Sequence, residues 1–433
     1  MAAVLSSTTL PSSSNRELSV ETQGSSDEAV VFAASPATKK RPLSPPRPLT
    51  GVLEVSDASS KLPTELTTPT KASQASSGGN NQSENASESP ADLGIDPHDL
   101  MLLKVIGRGT FAQQVALARH KETESMYVVK TLDKSKLVQR KQVVHTLTEK
   151  KVLEQLGGHP FIVKLYSAFQ TDRDLNFVLE YCQGGELFYH LQQQRSQKFD
   201  EQATRFYAAE VLSALSELHS HGVVYRDLKP ENVLLDAQGH VKLADFGFAK
   251  QEMAPGQRTY SFCGSPEYLS PEMVNKDGHG IETDMWSFGC FCYELLTGSP
   301  PFQCDNMHRL FSMIQQGRVW YPPYLTGHVV SLLQGLLRVN PASRLTAEQA
   351  MQHPFFKGSL DWNELLQRQV DPPIVPVCRG CDCTENFDDG FTSEPVVSLK
   401  LQAGDLRKRL RRDDDRSGPV KTLESRADAF RDF

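Results

Sequence analysis

Four polar residues in the middle of the chain have the types and the spacing that phosphate chemistry requires. Asp227 is followed two residues later by Lys229 and five residues later by Asn232, on a segment that reads as a loop. Asp245 comes thirteen residues after Asn232, in the triplet Asp-Phe-Gly. A carboxylate can accept the proton of a hydroxyl, an ammonium group can contact a phosphate, and Asn and Asp oxygens suit Mg²⁺. The pattern predicts a site for moving a phosphoryl group.

A glycine-rich turn lies between two strand-like segments near residue 100. Residues 102–106 read as one strand, Gly107 and Gly109 follow, and a second strand begins at Val115. Glycines allow backbone amides to approach phosphate oxygens closely. In a dinucleotide-binding motif a helix would follow the glycines, so the second strand argues against a dinucleotide-dependent oxidoreductase.

This turn also has two unusual features. Compared with the family that the motifs below resemble, Ala112 stands in place of a third glycine, and Gln113-Gln114 places one extra residue before Val115. The same resemblance implies an alanine against the purine ring where this chain has the larger Val128. We expect the turn to be shaped differently and the nucleotide pocket to be tighter.

Three further positions are predicted to bind a nucleotide. Lys130 ends the strand that contains Val128, and Glu149 lies on a helix whose apolar residues recur at helical spacing. An ion pair between them is predicted. The strand that ends near residue 182 would place the backbone of Glu180 and Cys182 beside the base, with Leu179 lining the pocket.

The segment after Asp245 contains a candidate phosphorylation site at Ser261. A phosphate there would carry about −1.5 to −2 charges. Arg226, next to the acid of the loop, and His145, on the helix of Glu149, are predicted to bind it. Such a contact would order the segment and connect it to that helix.

Helical patterns dominate the second half of the folded region. We predict a structural ion pair between Glu272 and Arg344, and we expect Asp284 to hold the backbone of the loop around Asp227. Two strands and a turn are expected between Asn232 and Asp245. The clearest helical patterns cover residues 203–220, 284–297 and 328–337.

The motifs together resemble those of AGC-group eukaryotic serine/threonine protein kinases, most closely protein kinases A, B and C. The resemblance rests on Tyr225-Arg226-Asp227-Leu228-Lys229-Pro230-Glu231-Asn232, Ala244-Asp245-Phe246-Gly247-Phe248-Ala249-Lys250 and Ser261-Phe262-Cys263-Gly264-Ser265-Pro266-Glu267-Tyr268. It implies an α+β, bilobal fold with a small β-rich lobe (100–181) and a large helical lobe (182–356), followed by a C-terminal extension (357–433) that wraps back over the small lobe.

The resemblance also implies cofactors, substrates and partners. ATP and Mg²⁺ would be used, with Asn232 and Asp245 as metal ligands and Asp227 and Lys229 as catalytic residues. Basic protein substrates would be read by Glu186, Glu231 and Glu294, because carboxylates bind guanidinium groups. An upstream activating kinase and a regulatory subunit are expected partners. In the extension, Phe387 would lie near the adenine, and Phe430 and Phe433 would fill a groove beside the helix of Glu149.

Composition limits the other classes of function. The net charge is −7 over 433 residues, which does not suggest nucleic-acid binding. No apolar run is long enough to span a membrane, and we expect a soluble, cytoplasmic protein. The basic run at residues 407–412 is either a nuclear address or a solvated charge run. Cys378, Cys381 and Cys383 are either free thiols or three ligands of a metal site that lacks a fourth.

Residues 1–96 are rich in Ser, Thr, Pro and Asn and contain one aromatic residue, so we expect them to be disordered. Ser44, Thr68 and Ser89 each precede a proline and are candidate phosphorylation sites. The alternative to an active kinase is a pseudokinase that only binds partners. It is favoured by Ala112, the extra residue before Val115 and Val128, and opposed by the presence of Lys130, Glu149, Asp227, Asn232 and Asp245.

Overall fold

The computed structural model describes residues 31–32, 95–109, 112–254, 256–399, 430 and 433. Three predictions fall outside this part of the chain. They concern the conformation of nearly all of residues 1–96, the proline-directed sites in that segment, and the basic run at residues 407–412.

The small lobe is built on a five-stranded antiparallel sheet with the order β2-β3-β4-β6-β5. The strands are β2 (Leu100–Gly107), β3 (Ala112–His120), β4 (Met126–Asp133), β5 (Leu165–Gln170) and β6 (Asp174–Glu180). Apolar side chains on one face, including Val129 and Val178, are fully buried. Since β4 is paired on both sides, the backbone of Lys130 is firmly held.

Two helices follow β4. Asp133 caps α1 (Lys134–Gln139) by accepting a hydrogen bond from the Lys136 N–H at 3.0 Å. α2 (Val143–Leu156) is the helix that the spacing of its apolar residues predicted. Its Val152 packs into the core of the large lobe, and its Leu147 packs against the core of the small lobe. The helix therefore bridges the lobes, and Glu149 is buried on it.

The large lobe is mainly helical. The long helices α4 and α6 form its centre, and their apolar side chains are almost completely buried. Each of the three predicted helices is present, with ends displaced by one or two residues. The helices are α3 (Leu187–Gln193), α4 (Glu201–Ser220), α5 (Pro271–Asn275), α6 (Glu282–Thr297), α7 (Met307–Gln316), α8 (Gly327–Leu336), α9 (Ala347–Met351), α10 (Trp362–Leu366) and α11 (Asp389–Thr392).

Short strands lie between the lobes and carry the central loops. β7 (Gly185–Glu186), β8 (Val233–Leu235) and β9 (Val241–Leu243) form a three-stranded sheet. The loop of Asp227 precedes β8 and Asp245 follows β9, so the predicted pair of strands places both acids at one edge. β1 (Val31–Phe32) pairs in parallel with β10 (Cys263–Gly264).

A buried ion pair joins α5 to the segment between α8 and α9. The Arg344 guanidinium donates to both carboxylate oxygens of Glu272, at 2.8 and 3.0 Å. Arg344 also lies over the ring of Trp286, with its guanidinium carbon 5.3 Å from the ring centroid. The contact between Glu272 and Arg344 that the sequence suggested is therefore present.

The segment after residue 356 runs back along the small lobe. The Phe433 ring meets Phe177 edge-to-face at 5.2 Å between centroids, and the Lys134 ammonium lies 5.5 Å from the Phe430 ring centroid. Both phenylalanines belong to the core that Leu147 of α2 covers. The predicted bilobal α+β fold is confirmed. Within the described residues, no helix combines the length and the apolar character needed to cross a membrane.

Candidate active site

The loop of Asp227 is held by one buried carboxylate. Asp284, on α6, accepts hydrogen bonds from the Tyr225 and Arg226 N–H groups, both at 2.8 Å, and its Oδ2 lies 2.9 Å from His219 Nε2. Arg226 has φ 70°, a left-handed conformation that a non-glycine residue adopts at a cost. The two hydrogen bonds to Asp284 offset this cost and fix the direction in which the loop leaves the core.

Asp227 lies in a dense set of hydrogen bonds. Its Oδ2 accepts from Asn232 Nδ2 at 2.8 Å and lies 3.1 Å from Lys229 Nζ, and its Oδ1 accepts from Ser265 Oγ at 2.9 Å. Burial raises the pKa of Asp227 above its ordinary value, although the Lys229 ammonium acts in the opposite direction. The carboxylate is therefore a better proton acceptor than an exposed aspartate.

The Lys130 ammonium joins the sheet, the helix α2 and the segment after β9. Its Nζ lies 2.7 Å from Glu149 Oε1 and 3.0 Å from Asp245 Oδ1. Burial alone would lower the pKa of Lys130, but the carboxylates of Asp245 and Glu149 raise it above its ordinary value. Conversely, burial alone would raise the pKa of Asp245, and Lys130 lowers it. Both groups are charged at neutral pH.

The donor atoms around Asp245 fit Mg²⁺ and phosphate. Asp245 supplies carboxylate oxygens and Asn232 an amide oxygen, and Mg²⁺ is commonly held by one or two such protein ligands together with phosphates and water. A Cβ added at Gly109 would be in ordinary van der Waals contact with Lys130 Cε, at 3.6 Å, so the turn lies directly beside this side chain. Gly107 borders the same turn, and a Cβ there would meet nothing within 4 Å.

An apolar cluster lies on the small-lobe sheet around Val128. Val115 and Leu179 pack against it, and so does Phe387 of the C-terminal segment. Phe387 is also stacked on Tyr181, with centroids 6.0 Å apart.

Backbone groups of Glu180 and Cys182, the two residues predicted to lie beside the base, form hydrogen bonds within the protein. The Glu180 N–H donates to the Lys164 carbonyl at 2.9 Å, and the Cys182 carbonyl accepts from the Gly185 N–H at 3.1 Å.

Positive charges gather around Ser261. Arg226 Nη1 donates to Ser261 Oγ at 2.6 Å, and Arg226 Nε donates to the Phe248 carbonyl at 2.7 Å. The structure places His145 nearby but does not bond it to Ser261; His145 Nδ1 instead lies 2.7 Å from Gln142 Oε1. Burial, together with the charges of Arg226 and Lys250, lowers the pKa of His145 to about 4.

Three carboxylates share a second part of the site. Burial raises the pKa of Glu186 and of Glu294 to about 7, and the charge of Glu231 adds to both shifts. Burial also raises the pKa of Glu231, whose Oε2 is buried without a hydrogen-bond partner among the described residues. The hydroxyl of Tyr268 donates to Glu294.

Several contacts were not foreseen from the sequence. Ser265 joins Asp227 and Lys229, donating to the first and accepting from Lys229 Nζ at 2.7 Å. Its position in the Gly-Ser-Pro-Glu motif was the only available signal. The neighbouring Gly264 has φ 106°, and a Cβ there would lie 2.6 Å from the Arg226 carbonyl, so the segment can approach the loop only with glycine.

The cysteine cluster does not form a metal site. Among residues 95–109, 112–254 and 256–399, no three His, Cys, Asp or Glu side chains are grouped so as to hold a metal ion. Cys378, Cys381 and Cys383 are free thiols, and the Cys378 thiol lies 3.9 Å from the Gln183 carbonyl. Of the two alternatives for these cysteines, the structure favours free thiols.

The chain is similar in sequence to known proteins. The sequence model of the protein kinase domain matches residues 100–356. Protein kinase C epsilon type of Oryctolagus cuniculus is 44% identical over 319 residues, covering 72% of this chain and 42% of that protein. The RAC family serine/threonine-protein kinase homolog of Dictyostelium discoideum is 42% identical over 298 residues, covering 68% of this chain and 66% of that protein. Serine/threonine-protein kinase Sgk1 of Xenopus tropicalis is 42% identical over 313 residues, covering 71% of this chain and 74% of that protein. The chain thus spans less than half of the protein kinase C relative.

The buried histidines predict how stability depends on pH. The pKa values of His145 and His279 are lowered to about 4, in both cases mainly by burial. The unfolded chain, in which histidine has a pKa of about 6.5, therefore binds more protons between pH 6.5 and 4. We expect the free energy of unfolding to fall as the pH falls through this window, by at most about 1.4 kcal/mol per pH unit for each ring. Urea unfolding at pH 7.5, 6.5 and 5.5 measures this change in the free energy of unfolding.

The control for this experiment is a pair of variants. His145→Gln should make the free energy of unfolding depend less steeply on pH. His308→Gln, which changes an exposed histidine, should leave this dependence as in the wild type. An unchanged slope in His145→Gln would contradict the assignment.

Proposed function

Because the chain belongs to the protein kinase domain family and, within it, to the AGC-group serine/threonine protein kinases, we propose that it transfers the γ-phosphoryl group of ATP to serine and threonine hydroxyls of proteins. The observation that carries the proposal is the position of Lys130, which contacts Glu149 and Asp245 at the same time. In protein kinases the ion pair between the strand lysine and the helix glutamate must be formed, and the Asp-Phe-Gly aspartate must be in place to hold Mg²⁺. The pair of Lys130 with Glu149 meets the first condition, and the contact with Lys130 holds Asp245 beside it.

Each residue then has a defined task. When bound, Mg²⁺ and ATP supply the phosphoryl group and the charge that neutralises its oxygens. Lys130 binds nucleotide phosphates, and Asp245 and Asn232 hold the metal. Asp227 orients the substrate hydroxyl and accepts its proton. Lys229, 3.1 Å from Asp227, places a positive charge beside the oxygen that attacks.

Phosphate transfer to a basic peptide tests this function against the pseudokinase alternative. With γ-³²P-labelled ATP, the wild-type chain should label the peptide, and Asp245→Ala should abolish labelling because it removes the carboxylate that holds Mg²⁺. Asp305→Ala, a change at an exposed aspartate, is the matched control and should label normally. Nucleotide binding without any transfer by wild-type protein would instead support a pseudokinase.

The proposed substrates have arginine upstream of the target residue. Glu231 has a buried carboxylate oxygen without a partner, and Glu186 and Glu294 have pKa values raised by burial and by the charge of Glu231. Glu294 is buried, Glu231 is partly buried and Glu186 is exposed, and carboxylates that repel one another in this way are unfavourable until a cation neutralises them. A guanidinium group, which donates to two carboxylate oxygens at once, is the side chain that fits.

The raised pKa values give this proposal a pH signature. At pH 8 the carboxylates are ionised, but below pH 7 Glu186 and Glu294 must release protons before they bind a cation. The KM for a peptide with arginine three residues before the target should therefore rise as the pH falls from 8 to 6, by up to about tenfold per pH unit for each proton released.

A peptide with alanine in place of the arginine should show a much flatter pH dependence. Glu231→Gln should weaken the preference for arginine, and Glu252→Gln, at an exposed position, should not. A peptide array that shows no dependence on this arginine would refute the proposed preference.

Phosphorylation of Ser261 by an upstream kinase is the proposed activation step. Ser261 already accepts from Arg226 at 2.6 Å, and Lys250 and His145 lie around Arg226. A phosphate would neutralise the Arg226 guanidinium and replace a hydrogen bond to a neutral hydroxyl by hydrogen bonds in which both partners are charged. Since Arg226 precedes Asp227 directly, the phosphate would hold the segment that follows Asp245 against the loop of Asp227.

Two measurements test the activation step. Ser261→Ala should lower kcat/KM by about 10- to 100-fold, the loss expected from one or two charge-assisted hydrogen bonds. Phosphorylation should also raise the pKa of His145 from its value of about 4, which NMR titration of the ring detects. Equal activity of phosphatase-treated and phosphorylated wild-type protein would contradict the proposal.

A regulatory subunit and a cytoplasmic or nuclear location stay predictions from the sequence.

A further inference from the structure

The extra residue before Val115 forms a bulge in β3. The pairing of β3 with β4 shifts between Ala112 and Gln114, so that Gln113 is the inserted residue. Beyond the bulge, Val115 pairs with Lys130 in regular register. The insertion turns the Gln114 side chain into a buried position with 3% exposure, on the strand that directly follows the glycine-rich turn.

Gln114 binds the C-terminal segment through both ends of its amide. Its Nε2 donates to the Val397 carbonyl at 2.6 Å, and its Oε1 accepts from the Val397 N–H at 2.9 Å. The two hydrogen bonds reproduce the exchange between paired strands, with a side-chain amide in place of one backbone. Residues 283 positions apart are joined in this way.

A second contact is made by Arg108, which lies in the turn itself. Arg108 donates to Glu394 Oε2 from Nε at 3.1 Å and from Nη2 at 2.6 Å. The Arg108 side chain is 56% exposed, so solvent screens this ion pair and it contributes little by itself. The short stretch from Glu394 to Val397 nevertheless contacts the turn through Arg108 and the strand β3 through Gln114.

The same C-terminal segment is fastened to the small lobe on either side of this stretch. Lys104 Nζ donates to Thr384 Oγ1 at 3.4 Å, α11 packs beside β2, and Leu399 packs against the apolar cluster that contains Leu100. Glu394 to Val397 is therefore held at both ends and can transmit its position to β3.

We propose that Gln114 is a positioning residue for the nucleotide phosphates, because its amide fastens β3 to Val397 and so fixes the glycine-rich turn above Lys130. Gly109 of the turn is close enough to Lys130 that a Cβ would approach its Cε to 3.6 Å. A small displacement of β3 therefore changes the space in which phosphates are bound. The proposal rests on the ATP-dependent function proposed above.

The main test compares variants of the full-length, Ser261-phosphorylated chain. Gln114→Ala should raise the KM for ATP about five- to tenfold, as expected for the loss of two hydrogen bonds, with kcat changed less than twofold. Gln113→Ala, at the neighbouring position of the same bulge, is the matched control and should leave the KM unchanged. Gln114→Glu keeps the acceptor for the Val397 N–H but loses the donor, and should give an intermediate KM.

A variant on the other side of the contact makes the test specific. Val397→Pro removes the N–H that donates to Gln114, and Val397 is partly exposed, so the change does not disturb the core. Its effect on the KM should not add to that of Gln114→Ala in the double variant. An unchanged KM in Gln114→Ala, or full additivity of the two changes, would overturn the proposal.

A measurement without nucleotide separates this proposal from the proposed function. In the nucleotide-free chain, Gln114→Ala should speed hydrogen exchange of the Val397 amide and of the β3 amides, while Gln113→Ala should leave the Val397 amide as in wild type. Unchanged exchange would overturn the contact itself. If wild-type protein exchanged as expected but transferred no phosphate, the proposed function would fail and the contact would stand.

Discussion

One buried ammonium group joins three parts of the molecule that are distant in the sequence. Lys130 belongs to the central strand of the small lobe, Glu149 to the helix that bridges the lobes, and Asp245 to the segment that follows β9. An ammonium group removed from water is stable only if such partners surround it. The position of α2 and the position of Asp245 are therefore linked through Lys130. The small lobe thus helps to hold Asp245 of the large lobe in place.

The rest of the site contains charges that the protein does not balance by itself. The positive charges of Arg226 and Lys250 help to lower the pKa of His145, and Arg226 also donates to Ser261. Glu186, Glu231 and Glu294 form a negative group in which the charge of Glu231 makes the other two harder to ionise. Each group matches a charge that arrives with phosphorylation or with substrate. The unbalanced electrostatics of the free chain thus agree with the proposed regulation and specificity.

Sequence reasoning identified residues that combine a distinctive type with a fixed spacing. The pairs of Lys130 with Glu149 and of Glu272 with Arg344, and the hold of Asp284 on the catalytic loop, were all expected and are all present. Ser265 and the pair of Gln114 with Val397 were not found, because serine and glutamine carry no spacing signal and Val397 takes part only through its backbone. His145 was predicted to bind the phosphate of Ser261, and its nearest partner in this structure is Gln142. Helix ends differed by one or two residues, since caps rather than apolar patterns determine them.

The stacking of Phe387 on Tyr181 has a practical consequence for small-molecule recognition. Phe387 packs against the apolar cluster of Val128, yet it lies outside residues 100–356, the range that the family match covers. The apolar cluster around Val128 is thus completed by a residue that lies outside the family match. A small molecule that contacts this ring would depend on the C-terminal segment, and a screen with residues 100–356 alone would lack that contact.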